Sequence, residues 1–409
     1  MSDLGLRAAS ALGLVGWVAI AWALSLDRRR MPWRTVGWGL GLQFALGLVL
    51  LKTGAGVWFF AGARAAVAAL TAWTLEGTRF VFGALVDTGF SIVVNVLPVI
   101  VFVGSLFSVL YHLGLVQRAV AALALVLRHT LGTSGAESLA AAANIFVGMV
   151  EAPLLVRPYV ERMTRSELFT VMVTGMSTVS GSVLVVYAGM LGADYAGHLL
   201  TASFLAAPAG IVMAKVMVPE SEVPETAGSG GAQIERTAVN AVDAAAIGAL
   251  AGLRLAGYVG ALLLAFVALI ALCNAALGAV GGWFGAPDLT FQQLLGYVFA
   301  PLALLLGVTP ADAPTVGSLL GVKTVLNEFL AYQQLAAAID AGEISPRSAV
   351  VASYALCGFA NFGSLAILLG GLGGMAPSRR PEIARLGLRS IAAGTLATCM
   401  AGCIAGILW

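Results

Sequence analysis

Charge is scarce in this chain: 22 Lys and Arg and 20 Asp and Glu make up 10% of its 409 residues, against about a quarter in ordinary soluble domains. With 60% of residues hydrophobic and a mean hydropathy of +0.95, too few polar side chains exist to cover a water-facing exterior. The near-neutral balance, a net charge of +2, and the lack of a Lys/Arg run exclude a nucleic-acid surface. Cysteine and histidine are few as well. Cys273, Cys357, Cys399 and Cys403 lie in apolar segments without a CxxC pair, and His112, His129 and His198 are scattered, so neither a thiol metal site nor a disulfide framework is expected. The apolar segments lack paired aspartates, a Ser/His pair and a histidine cluster, which argues against an intramembrane enzyme. Rings of repeated acids, the mark of a channel filter, are missing too.

What is present is a series of apolar runs near 5–26, 34–52, 92–111, 168–191, 195–218, 255–280, 322–340, 348–371 and 386–408. Each matches the roughly 20 residues that cross a hydrocarbon layer about 30 Å thick. The sequence therefore predicts an all-α polytopic membrane protein in the plasma (inner) membrane. The first run, Leu4 to Leu26, is too long for a signal peptide and reads as a retained helix. Residues 55–90 carry Arg64, Glu76 and Arg79 and are expected to lie partly along an interface. Residues 115–160 and 291–320 are broken by Gly, Pro and polar residues, as in re-entrant or discontinuous helices. A polar linker, Pro219 to Asn240, divides the chain. Arg28, Arg29, Arg30 and Arg34 follow the first run, and Arg379, Arg380, Arg385 and Arg389 precede the last. Positive loops stay inside, which predicts both termini on the outer, periplasmic face.

Both halves hold an interrupted segment, an acidic motif and a helix rich in small residues, a repeat pattern found in transporters. The acids are Glu151, two residues before Pro153, and Glu328, next to Asn327. An ionisable group inside a membrane segment marks a functional site more often than not. The competing reading is simple pairing with Arg157 and Lys323. Asn361 and Ser364, three residues apart in Gly358–Ser364, share a helical face and suit either a polyhydroxyl ligand or interhelical hydrogen bonding. In Ser177–Ser182, Gly181 permits an unwound turn whose carbonyls would suit a hard cation, while hydroxyls bonding back to their own helix are the alternative.

The stretches Glu151-Ala-Pro-Leu-Leu-Val-Arg-Pro-Tyr159, Asn327-Glu-Phe-Leu-Ala-Tyr332 and Gly358–Ser364 resemble the concentrative nucleoside transporter family, and the similarity runs through most of the chain. The resemblance implies about eight transmembrane helices plus two re-entrant helical hairpins, an inverted-repeat transport domain on a scaffold domain, and a homotrimer. It divides the chain into N-terminal scaffold helices with an interfacial helix (1–112), a first transport half with hairpin 1 (113–218), a linker and connecting helix (219–254), a scaffold helix (255–282), a second transport half with hairpin 2 (283–376) and a C-terminal helix (377–409). Matched by motif, Glu328, Asn361 and Ser364 would bind ribose hydroxyls, Phe359 and Val183 would line the pocket, and Glu151 would face the nucleobase. A sodium ion would be held by Asn144, Val147, Thr178 and Val179. One departure stands out: the family's Gly-Gln-Thr-Glu reads Gly148-Met149-Val150-Glu151 here, so Met149 and Val150 offer the base an apolar wall. The resemblance implies sodium-coupled symport of nucleosides by alternating access, with proton coupling as the alternative, and no enzymatic activity.

Overall fold

Where the hydropathy pattern shows unbroken runs, three are in fact interrupted, and those interruptions organise the molecule. The computed structural model describes residues 2–89, 91–227, 238–283 and 285–409, and among these it is helical without strands. Five helices lead in: α1 (Asp3–Ala23), α2 (Trp33–Lys52), α3 (Gly54–Phe82), α4 (Leu97–His112) and α5 (Leu115–Leu131). Helix α1 buries Leu6, Ser10, Gly13, Leu14, Trp17 and Ala21, one stripe at helical spacing, and leaves its other faces outside the bundle. The stretch expected to lie partly along an interface forms α3, long and apolar enough to cross a membrane.

The first repeat follows: α6 (Gly135–Ala143), a non-helical tip, two short turns α7 (Glu151–Leu154) and α8 (Arg157–Val160), then α9 (Arg165–Ser177), α10 (Gly181–Leu191) and α11 (Ala196–Met217). Helices α12 (Ala241–Trp283) and α13 (Phe291–Leu305) intervene. The second repeat is α14 (Ala313–Val325), α15 (Glu328–Asp340), α16 (Pro346–Leu356), α17 (Phe362–Met375) and α18 (Arg380–Leu408). Each repeat is thus a helical hairpin, a helix broken in its middle, and an unbroken helix. They run in opposite directions. Helix α9 starts beside the arginine-rich end of the bundle, where Arg165 Nε lies 3.1 Å from Glu382 Oε1. Helix α16 starts at the other end, where Arg347 donates to the Gly406 carbonyl at 2.7 Å and reaches Asp3 at 3.4 Å. Both described termini meet at that second end, with the Arg7 guanidinium on the Trp409 carbonyl.

Both hairpins are stitched at their roots in the same way. The cap of α6, Ser134, donates its hydroxyl to Glu167 in the first turn of α9 at 2.6 Å. The cap of α14, Asp312, accepts from Ser345, the cap of α16, at 2.6 Å. Hairpin 1 is further anchored by Glu137 against the buried Lys215 ammonium, which also reaches Glu220 at 3.3 Å.

Three expected spans are corrected, the first being 168–191, which is split at 178–180 between α9 and α10. Residues 322–340 are not one span, because the Asn327 side chain accepts from the Leu330 amide at 2.9 Å and starts a new helix after Leu326. Residues 348–371 are likewise split at 357–361, where Asn361 caps α17 by accepting from the Ser364 amide at 2.7 Å. A side-chain cap competes with the helical ladder and resets it, which hydropathy does not register. Helix α12 is continuous across the expected boundary at 254/255. Residues 228–237 of the polar linker, including Glu235 and Arg236, lie outside the described residues.

The repeats form the core: 89% of the most apolar window of 165–191 and of 193–217 is buried, against 17% for α3 and α12. Helix α12 touches the bundle mainly through small residues set against α4; a Cβ at Gly252 would lie 2.7 Å from the Ile100 carbonyl oxygen. At the centre the two helix breaks cross. A Cβ on Gly358 would meet the Met176 carbonyl at 2.9 Å, Ser177 C at 3.0 Å and Thr398 Cγ2 at 2.7 Å. Gly358→Ala is therefore expected to cost about 1–3 kcal/mol by overpacking. Gly370, also helical but with open space around it, should accept alanine without loss. Thermal unfolding in detergent compares the two; equal melting temperatures would contradict the crossing.

Candidate functional site

Glu328 sits on the first turn of α15, where the helix dipole favours a carboxylate. It is buried, at 6% exposure, yet no Lys, Arg or His lies within ion-pair distance among the described residues. Its oxygens are held by neutral donors instead: the Tyr187 hydroxyl donates to Oε1 at 2.8 Å and the Asn361 amide to Oε2 at 2.7 Å. Asn361 spends its oxygen on the Ser364 amide, so one side chain starts α17 and orients Glu328 together. The Ser364 hydroxyl forms no hydrogen bond among the described residues. An ionised carboxylate offers about four lone-pair positions, of which Tyr187 and Asn361 take one each; the acceptor capacity left over suits hydroxyl donors such as those of a vicinal diol.

The sequence reading did not single out Tyr187. Its signal was present as the one polar aromatic in the apolar run Gly181–Leu191. The ring stacks on Tyr332 at a centroid distance of 4.3 Å, and Tyr332 donates to the Ser353 carbonyl at 2.7 Å. Val183 lies one helical turn before Tyr187 and shares its face of α10. Phe359 is half-buried in the 357–361 break.

The pairing alternative for the two acids is not what forms. Lys323 is fully buried, but its ammonium donates to the Ala355 carbonyl and the Thr398 hydroxyl, both at 2.8 Å. It thereby satisfies the C-terminal end of α16. Arg157 is exposed and makes no ion pair with Glu151 among the described residues. Glu151 is exposed at the tip of hairpin 1, its carboxylate lying against Gly148. No direct bond links it to the Glu328 cluster. Met149 is turned inward, where a Cβ on Gly175 would lie 3.0 Å from its own Cβ, and Val150 lies beside Gly371 of α17.

A second cluster surrounds the break between α9 and α10. Asn144, at the end of α6, donates to the Ala140 carbonyl at 3.0 Å and to Thr174 Oγ1 at 3.4 Å. Its Oδ1 is buried and has no hydrogen-bond partner. Beyond it, the Phe146 carbonyl accepts from the Gly181 amide at 3.1 Å, which pins the tip of hairpin 1 across the break. Thr178 and Val179 lie in that break, both buried, and the Thr178 hydroxyl donates to the Thr174 carbonyl at 2.8 Å. An unpaired buried acceptor is costly. Oxygen donors without thiols or imidazoles suit a hard cation, so Asn144, Val147, Thr178 and Val179 fit sodium by chemistry.

Inverted repeats, broken helices and polar clusters at the breaks define a polytopic membrane transporter. The family described as Na+ dependent nucleoside transporter, C-terminus, matches residues 198–406, its N-terminal counterpart matches 12–85, and a family described as nucleoside recognition matches 93–194. The chain belongs to the Na+ dependent nucleoside transporter family, a family of transporters and not of enzymes. It is 48% identical over 399 residues to the uncharacterized transporter YutK of Bacillus subtilis, covering 97% of this chain and 98% of that one. It is 46% identical over 411 residues to an uncharacterized transporter of Haemophilus influenzae, covering 97% of each. Human solute carrier family 28 member 3 is 40% identical over 410 residues, which is 97% of this chain and 59% of the human protein. The solved structure of CNTnw in an inward-facing, substrate-bound state superposes with a TM-score of 0.92 at 44% identity, covering 98% of both chains. A CNTnw double variant in an outward-facing state superposes at 0.93 with 44% identity and the same coverage.

Tyr187→Phe keeps the stacked ring but leaves Glu328 Oε1 without its donor. The expected loss is roughly 1.5–3 kcal/mol, the size of a hydrogen bond to a charged group, read as a lower melting temperature in detergent. An unchanged melt would show that the carboxylate does not depend on Tyr187.

Proposed function

We propose that this protein is a sodium-coupled nucleoside symporter of the inner membrane, working as a homotrimer with the arginine-rich end in the cytoplasm and both termini outside. The observation that carries the reading is the buried Glu328 carboxylate, held by a neutral side-chain donor on each oxygen, without a cationic partner among the described residues, and joined to the helix break that holds Asn361 and Ser364. Such a group accepts two hydrogen bonds from the adjacent hydroxyls of a ribose, and charge-assisted bonds of this kind are among the stronger ones. Phe359 and Val183 supply apolar contact around the sugar and base, and Glu151 faces the base from the tip of hairpin 1.

A bound sodium ion supplies positive charge that ties the hairpin 1 tip to the broken helix. Asn144 would hold it through Oδ1, Thr178 through its hydroxyl, and Val147 and Val179 through their carbonyls. Ordering that tip favours nucleoside binding, and by linkage nucleoside favours the ion, typically by 1–3 kcal/mol. The two hairpins and broken helices form a transport domain that moves against a scaffold containing α1 to α4 and α12, with both hairpins re-entrant. The proton-coupled alternative finds less support. What favours a cation instead is the buried Asn144 Oδ1, which has no hydrogen-bond partner and could serve as an oxygen ligand.

Met149 and Val150 give the tip of hairpin 1 no side-chain donor or acceptor, so the base is selected by shape and stacking. Uptake into proteoliposomes under an imposed sodium gradient tests the whole reading. Saturable accumulation is expected, with purine or modified nucleosides favoured over uridine and cytidine. Sodium-independent uptake would sink the coupling, and an ordinary pyrimidine preference would sink the selectivity. Asn144→Ala is expected to abolish the sodium dependence of transport; uptake in that variant still rising with sodium would remove Asn144 from the ion site.

A further inference from the structure

Apart from the transport machinery, the arginine-rich end of the bundle holds a cavity of about 520 Å³ where α1 stops and α9 and α18 start. Arg165, Arg379, Arg385 and Arg389 line it, with Leu26 and Leu386 between them. Glu382 is the single acid of the lining and is already engaged twice, by Arg165 Nε at 3.1 Å and by Arg379 Nε at 2.8 Å. Four guanidiniums therefore face one carboxylate. Two of them are fixed by backbone carbonyls: Arg379 Nη1 donates to Met163 at 2.7 Å and Glu161 at 3.1 Å, and Arg389 Nη1 donates to Leu24 at 2.5 Å. Arg385 is exposed and forms no hydrogen bond or ion pair among the described residues. A bias of positive charge towards one side of a membrane needs only arginines in a loop. Here they converge from α9 and α18 on one concavity that α1 closes, with guanidinium donors left over.

Planar guanidinium forks match phosphate oxygens. The cavity also opens at the ends of membrane-length helices, and its surround is apolar: Leu24, Leu26 and Leu388 are 42%, 46% and 64% exposed. Phosphate recognition beside exposed aliphatic side chains is what a lipid headgroup with its acyl chains requires, and a soluble phosphate does not use the second part. We propose that this cavity binds the phosphodiester headgroup of an anionic phospholipid, bridging α9 and α18. Basic pockets between transmembrane helices are the general form of such sites.

The full-length protein in detergent, titrated separately with phosphatidylglycerol, phosphatidylcholine, glycerol 3-phosphate and inorganic phosphate, provides the test, with bound adducts counted by native mass spectrometry. Phosphatidylglycerol is expected to be retained most tightly. Each arginine near an anionic headgroup contributes roughly a factor of five, so R385Q/R389Q should weaken retention about 25-fold. Arg385→Gln alone, at an exposed and unpartnered position, should weaken it about fivefold and serves if the double variant does not fold. Arg118→Gln, at an exposed position of α5, should change nothing. Equal retention by the variants, equal retention of phosphatidylcholine and phosphatidylglycerol, or inorganic phosphate bound as tightly as the lipid would each overturn the assignment.

Discussion

The crossing of two interrupted helices is the constraint on which the rest of this structure depends. Hydrocarbon provides no partner for a free N–H or C=O, so a break in a membrane helix survives only where protein covers it. Here the breaks after Ser177 and Leu356 cover each other, with Gly358 against the Met176–Ser177 backbone and Gly394 and Gly210 allowing α18 and α11 to close in. Four half-helix ends are thereby brought to the middle of the bundle. Their caps and their neighbours' side chains then become the site: Asn361 caps one half-helix and bonds Glu328, while Lys323 satisfies the end of another.

The two repeats share an architecture and divide the chemistry. Hairpin 2 brings a carboxylate to its break, and hairpin 1 brings an amide oxygen with no donor to its own. The matching stitches at the hairpin roots, Ser134 to Glu167 and Asp312 to Ser345, use different residues at corresponding points of the repeats. What is common to the halves is therefore geometry rather than sequence, which is why the repeat is faint at residue level.

Much of this was legible in the sequence. Scarce charge marks the membrane, and the interruption expected in 115–160 holds hairpin 1, whereas hairpin 2 (313–340) lies mostly beyond the interrupted segment expected at 291–320; Glu328 and Asn361, from separate motifs, are hydrogen-bonded to each other. Three things were not legible. Hydropathy averages over a window and cannot see one capping asparagine, so the runs at 322–340 and 348–371 read as whole helices. Tyr187 looks like any interfacial aromatic until α10 is set against α15, because its partner is 141 positions away. Lys323 and Glu328 are close in sequence and suggest a pair, yet the turn at Leu326–Asn327 separates them and sends the ammonium to α16 and α18.

Helix α12 has a consequence of a different kind. From residue 255 to 283 it carries no charged side chain, a rod of about 44 Å at 1.5 Å per residue. A hydrocarbon layer about 30 Å thick takes that length by the rod leaning up to roughly 45°, by the layer swelling around it, or by the rod's ends reaching into the headgroup regions. Its small-residue seam on α4 sets the angle from the protein side. The rim of the molecule is thus a gauge of bilayer thickness, mechanically distinct from a core whose helix ends are all bound to one another.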